Sequence, residues 1–145
     1  MMKLMKRLGR DLLYGGSRKI SPFEKTVLDS LREHITENDR NAINIQLNHL
    51  DRIQRQTDRV SAFYFEDIES VPKTEDLSDE HSLGVFKVNS TNGKATVKVF
   101  CCDGVLSSIE CTKPVEHSAC PKILSVVSYQ NVKSEIDELD KEEHG

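Results

Sequence analysis

Two dipeptides, Asn92-Gly93 and Asp103-Gly104, divide the stretch from Leu83 to Cys111 into three runs rich in β-branched residues. Asn-Gly is a strong short-range hairpin signal, because a type I′ turn needs positive φ at both central residues. A turn closed by Thr91 and Lys94 sets Val88 opposite Val97 and Phe86 opposite Val99. At the second corner a two-residue loop would set Val97 opposite Glu110, a poor match on a core face. A three-residue loop, Cys102-Asp103-Gly104 with the glycine in a left-handed bulge position, sets Val97 opposite Ile109 instead. The hydrophobic pattern selects the second register, because side chains alternate with a period of two.

That register also decides what three closely spaced cysteines can do. Cys101 falls opposite Val105 and Cys111 opposite Ala95, which are six positions apart, or roughly 20 Å along a strand. A disulfide needs Cα atoms within about 7 Å. Cys101 and Cys111 are therefore expected to stay unbridged, and FCCDG reads as a strand end and a turn.

Upstream, ISPFEKTVLDSLREHI carries a complete helix start: Ser21 as N-cap, Pro22 at the first helical position and Glu24 closing a capping box. Phe23, Val27, Leu28, Leu31 and Ile35 share one face of a helix over 22–35. A second helix is expected over 39–56, on the spacing of Ile43, Leu47, Leu50 and Gln54. The short link between them makes a helical hairpin. VSAFYFED at 60–67 reads as a strand, residues 66–81 as a solvated loop with seven acidic residues and one lysine, and 123–129 as a further strand. The expected fold is α+β: a helical hairpin packed on a mainly antiparallel sheet built around the 83–111 meander, as one domain over 21–145.

Charge is concentrated at the two ends. Residues 1–19 hold six Lys/Arg against Asp11, and residues 131–145 hold six Asp/Glu against two lysines. The first segment, 1–20, reads as a basic amphipathic helix, with Lys3, Lys6, Arg7 and Arg10 as candidate contacts to a membrane surface or to nucleic acid. Nucleic acid is disfavoured, because the chain as a whole carries a net −4 and no aromatic residues interleave with the basic ones. No apolar run reaches the length of a membrane span and no signal-peptide pattern is present, so a cytoplasmic protein with reduced thiols is expected.

Chemistry-bearing patterns are scarce. Cys111, His117 and Cys120 are zinc-type ligands at a spacing that fits no standard zinc motif. Cys102 has no histidine placed by sequence to activate it. The chain contains no GxSxG, HExxH, P-loop or GxGxxG, and nothing implies a cofactor. An enzyme would need a pocket between helices and sheet, built from Tyr64, His49, Asp51 or Cys101.

The predicted registers assign the sheet face away from the helices row by row. Val85, Phe100 and Leu106 form one row, and Lys87, Lys98 and Ser108 the next. An apolar row beside two opposed lysines suits a contact surface for an acidic partner. Val85, Lys87, Lys98, Phe100 and Leu106 are the candidate partner-binding residues, unless the N-terminal segment or residues 114–130 cover them. Taken together, these features favour a non-enzymatic interaction protein, in its most concrete form a bacterial-type immunity or inhibitor protein.

Overall fold

The computed structural model describes residues 19–128. Helix α1, Pro22–His34, starts at the predicted cap. The Ser21 hydroxyl accepts the Glu24 N–H at 3.2 Å, and the Ser21 N–H donates to Glu24 Oε1 at 2.8 Å. These bonds satisfy backbone groups that a helix end leaves unpaired. Phe23, Val27, Leu28 and Leu31 are buried along one stripe. Helix α2, Glu37–Asn48, is capped by Thr36, and its Arg40 Nε donates to the Arg32 carbonyl at the end of α1 (2.7 Å).

The second helix is shorter than its spacing predicts. At His49 the backbone N–H turns back to the Gln46 carbonyl, and residues Leu50–Thr57 become strand β1. Arg and Gln in LDRIQRQT suit a helix, but Ile53 gains a core position opposite Phe63 of β2, Val60–Phe65. Cross-strand burial outweighs propensity here. An Asp58-Arg59 turn joins the two strands, with Thr57 Oγ1 accepting the Arg59 N–H at 3.1 Å.

Strands β3 (His81–Ser90), β4 (Gly93–Cys102), β5 (Val105–Cys111) and β6 (Lys122–Ser128) complete a six-stranded sheet in the order β1-β2-β5-β4-β3-β6. Every neighbouring pair is antiparallel. Both helices lie on one face, α1 against β3 and β6, and α2 against β5. Between the layers Val27, Leu28, Leu31, Ile43, Ile53, Phe86, Val88, Val97 and Val99 make a filled apolar core.

Both hairpins are found, with their turn chemistries exchanged. At the first, Ser90 pairs with Gly93, and among the turn residues only Gly93 has positive φ (98°). A type I′ turn at Asn92-Gly93 is thereby ruled out, and the glycine takes the left-handed bulge position instead. Phe86 stands opposite Val97 and Val88 opposite Ala95. At the second, Cys102 pairs with Val105 across Asp103 (φ 52°) and Gly104 (φ 80°), both left-handed, as the two-residue type I′ loop requires.

A two-residue loop alone would have turned the valines against Glu110. A bulge in β5 between the Phe100 and Cys101 pairings prevents it: Cys101 stands opposite Leu106, but Phe100 opposite Ser108, so Ser107 is the extra residue. Beyond the bulge Val99 faces Ile109 and Val97 faces Cys111. Each register differs from the predicted one by two positions, so the inward set survives. Before the bulge the parity is opposite, and Leu106 points into the core, 1% exposed.

The Leu106 N–H, in the pair next to the one that closes the turn, points away from β4, and α2 supplies its partner. Gln46 is fully buried; its Oε1 accepts from Leu106 N (2.9 Å), and its Nε2 donates to the carbonyls of Gly104 (2.9 Å) and Pro72 (3.0 Å). The acid-rich loop after β2 closes on the same corner. Thr74 N donates to Gly104 O (2.9 Å), Asp103 N to Ser78 O (3.0 Å) and Glu75 N to Asp39 Oδ1 (2.9 Å). Residues expected to be a solvated connection are thus fastened at their backbone, while Glu75, Asp79 and Glu80 remain exposed. Replacing Gln46 by Leu keeps the volume but strands up to three buried polar groups, so stability should fall by about 2–4 kcal/mol in urea unfolding. A loss below about 1 kcal/mol would contradict the role given to this side chain.

Candidate interaction face

The sheet face opposite the helices carries the predicted contact residues in a different arrangement. Lys98 stands between Val85 on β3 and Glu110 on β5, not opposite Lys87. Lys87 faces Thr96 and donates to its hydroxyl at 2.8 Å. The opposed lysine pair is therefore corrected to two separated cations, both exposed. Phe100, half-buried, lies between Ser82 and Ser108. Leu106 is removed from the set, because the bulge places it in the core, and Val105 takes the outward position beside Cys102.

Small residues create relief on this face. Ala62, Ser107 and Ser108 floor a depression of about 270 Å³ rimmed by Tyr64, Glu80 and Glu110. The Arg52 guanidinium lies over the Tyr64 ring at 4.5 Å from its centroid, a stacking that holds the ring with one edge toward solvent. Tyr64 is 38% exposed, one of few large apolar surfaces the described residues present. Sequence reasoning placed Tyr64 in a pocket under the helices; its pairing with Arg52 on β1 puts it on the other side of the sheet.

A second constellation, missed in the sequence, joins α1 to the sheet. Glu24 is completely buried, and its Oε1 accepts from Arg55 on β1 at 2.8 Å. His117, from the crossover between β5 and β6, places Nδ1 2.8 Å from Ser21 Oγ and 3.8 Å from Glu24 Oε2. Hydroxyl, imidazole and carboxylate are the residue types of a hydrolase triad, but the order is wrong. A triad needs the hydroxyl and the carboxylate on different ring nitrogens. Here both approach the same one, and the Ser21 oxygen is already engaged as a helix cap. The group acts as a clasp: the His117 carbonyl also accepts the Phe23 N–H (3.2 Å), and the Phe23 and His117 rings meet edge to face.

Cys101 and Cys102 are both shifted away from the thiolate. All four cysteines are free. Burial, with help from Asp39 and Asp76, pushes Cys101 up to about 12. Cys102 is raised by partial burial and by the carboxylates of Asp103, Asp79 and Glu80, which disfavour a thiolate. Cys111 is buried opposite Val97, His117 is held by Ser21, and Cys120 is exposed with Sγ near the Pro22 carbonyl. Among the described residues no three His, Cys, Asp or Glu side chains come together as a metal site. His49 caps α2, while Asp51 and Cys101 are buried at separate points, so the residues of the enzyme reading are not gathered in one pocket. Lys3, Lys6, Arg7 and Arg10 lie outside the described residues. No described helix is long and apolar enough to cross a membrane.

No protein-family model, curated protein or solved structure matches the chain.

The clasp has a pH signature. Burial alone would raise Glu24, but the Ser21 N–H, the Ser61 hydroxyl and Arg55 favour its ionised form and hold it below the ordinary value of 4.5. Burial lowers His117 from 6.5, with Glu24 and Glu116 opposing and Arg55 assisting. Both folded values are depressed, so each group contributes stability that is full above its unfolded value and lost as pH falls through the folded one. Urea midpoints should therefore decline below pH 6.5 and again below 4.5. Glu24→Gln should shrink the lower limb, to which Asp29 also contributes, and cost about 3 kcal/mol at neutral pH, since it leaves Arg55 without its counterion. An unchanged acid limb in that variant would contradict the assignment.

Proposed function

We propose that this chain is a protein-interaction module that engages its partner through the helix-free face of the sheet. One observation carries the reading: both helices cover a single face, and on the other Tyr64 rims a shallow, small-residue trough, Phe100 stands beside its Ser108, and Val85, Lys87 and Lys98 continue the face across β4 and β3. Aromatic side chains set against small neighbours are the usual anchors of protein contacts. The two cations favour an acidic patch on the partner and would act mainly on association rate and selectivity. The immunity- or inhibitor-type form of the reading draws on size and charge balance, 145 residues at net −4 without a linear catalytic motif.

Capture from extracts of the native host, using four versions of the chain in parallel, tests the proposal. Wild type and a helix-face control, Lys25→Glu, should retain the same co-purifying protein. Phe100→Asp and the double reversal Lys87→Glu/Lys98→Glu should each weaken it tenfold or more, equivalent to about 1.4 kcal/mol. A partner held equally by all four versions would place the contact elsewhere, and a partner lost only in the helix-face control would reverse the proposal.

A further inference from the structure

The sheet is open, and its two edges are built differently. At one, β1 is interrupted by register shifts at Leu50/Arg52 and Arg55/Thr57 and carries Asp51, Arg52 and Arg55. Irregular pairing and charge of this kind keep an edge from recruiting another strand. At the other, β6 reads KILSVVS. Its guards, Lys122 and a bulge at Leu124 between the Ile123 and Ser125 pairings, both sit at its start. From Ser125 to Ser128 the pairing with β3 is regular: Ser125 opposite Lys87, Val126 opposite Phe86, then Val127 opposite Val85 and Ser128 opposite Gly84. Among the described residues no strand lies on its outer side.

We infer that β6 is a pairing edge and that its occupant is β6 of a second copy of this chain, antiparallel about a two-fold axis. The sequence is complementary to itself in the one class of register such an axis allows. Antiparallel strands related by an axis normal to the sheet keep their faces, so the axis must pass through a residue and not between two. With the axis at Val126, that residue meets Val126 of the partner subunit on the helix-bearing side. Ser125 then stands opposite position 127 and Leu124 opposite position 128. No charged residue opposes another, β-branched residues hold the centre, and Leu124, 45% exposed, gains a neighbour. The product is one continuous sheet with both helical layers on the same side, closed by symmetry. The outer face assigned above to a protein partner remains open in this dimer, so the two readings stand or fall separately.

Sedimentation equilibrium on the full chain, combined with amide hydrogen exchange, tests the inference. Wild type should approach twice its 16.5 kDa mass at high micromolar concentration. Alternate amides of 124–128 should lose protection on dilution. Leu124→Lys and Ser125→Lys alter exposed positions and add the charge that edge strands use against pairing. Each should raise the dimer dissociation constant at least tenfold, with the melting temperature of the monomer unchanged for Leu124→Lys and slightly lowered for Ser125→Lys, which stands opposite Lys87. A chain that stays monomeric at those concentrations overturns the proposal, as does a dimer indifferent to both lysines. Protection of the β6 amides that does not vary with concentration also overturns it, because another segment of the same chain would then occupy the edge.

Discussion

The Leu106 N–H has no partner on β4, and the carbonyl oxygen of Gln46 supplies one from the helix above. Much of the architecture follows from that substitution. A left-handed Asp103-Gly104 turn fixes a two-residue loop, and a two-residue loop gives the parity that would expose Val97 and Val99. One additional residue in β5, Ser107, restores it. The neighbouring Leu106 N–H is directed away from β4, and leaving it unsatisfied in the core would cost about 1–3 kcal/mol. Gln46 meets it, and with its amide group also draws in the Gly104 and Pro72 carbonyls. Helix, hairpin and acidic loop are thereby tied at one corner.

The same bulge shapes the opposite face. With Leu106 turned inward and Ser107 as the extra residue of β5, Ala62, Ser107 and Ser108 line the depression on the outer surface. Tyr64 then stands at the rim of a shallow floor, and Phe100 lies next to its Ser108 instead of joining a continuous apolar row. A relief of this kind suits an inserted side chain from a partner better than a flat hydrophobic patch would. The Glu24–Arg55–His117 clasp sits on the helix-bearing side and holds the crossover against α1, which fixes the start of β6 without contributing to the outer surface.

Much of this was legible in the sequence because it depends on local rules. The Ser21–Glu24 capping box, the inward faces of β3 and β4 and the separation of Cys101 from Cys111 each follow from spacing of a few residues. The errors arose where distant partners decide. LDRIQRQT satisfies a helical period as well as a strand's, and only pairing of Ile53 with Phe63 settles it. Which of two Gly-containing corners takes the type I′ turn depends on the loop from 71 to 80, whose Thr74 and Ser78 bind the second corner. Gln46 lies four residues after Ala42 and three after Ile43, on the buried stripe, and that position was the available sign of its role. The clasp had no such sign, because Glu24, Arg55 and His117 are separated by long stretches of chain.

The register of β4 against β5 carries the core, the trough and the position of Phe100 together. Backbone cross-strand NOEs measure it directly. The account predicts contacts between Cys101 and Leu106 and between Val99 and Ile109, with the Leu106 amide strongly protected from exchange. Contacts joining Cys101 to Val105 and Val97 to Ile109, with a freely exchanging Leu106 amide, would contradict it.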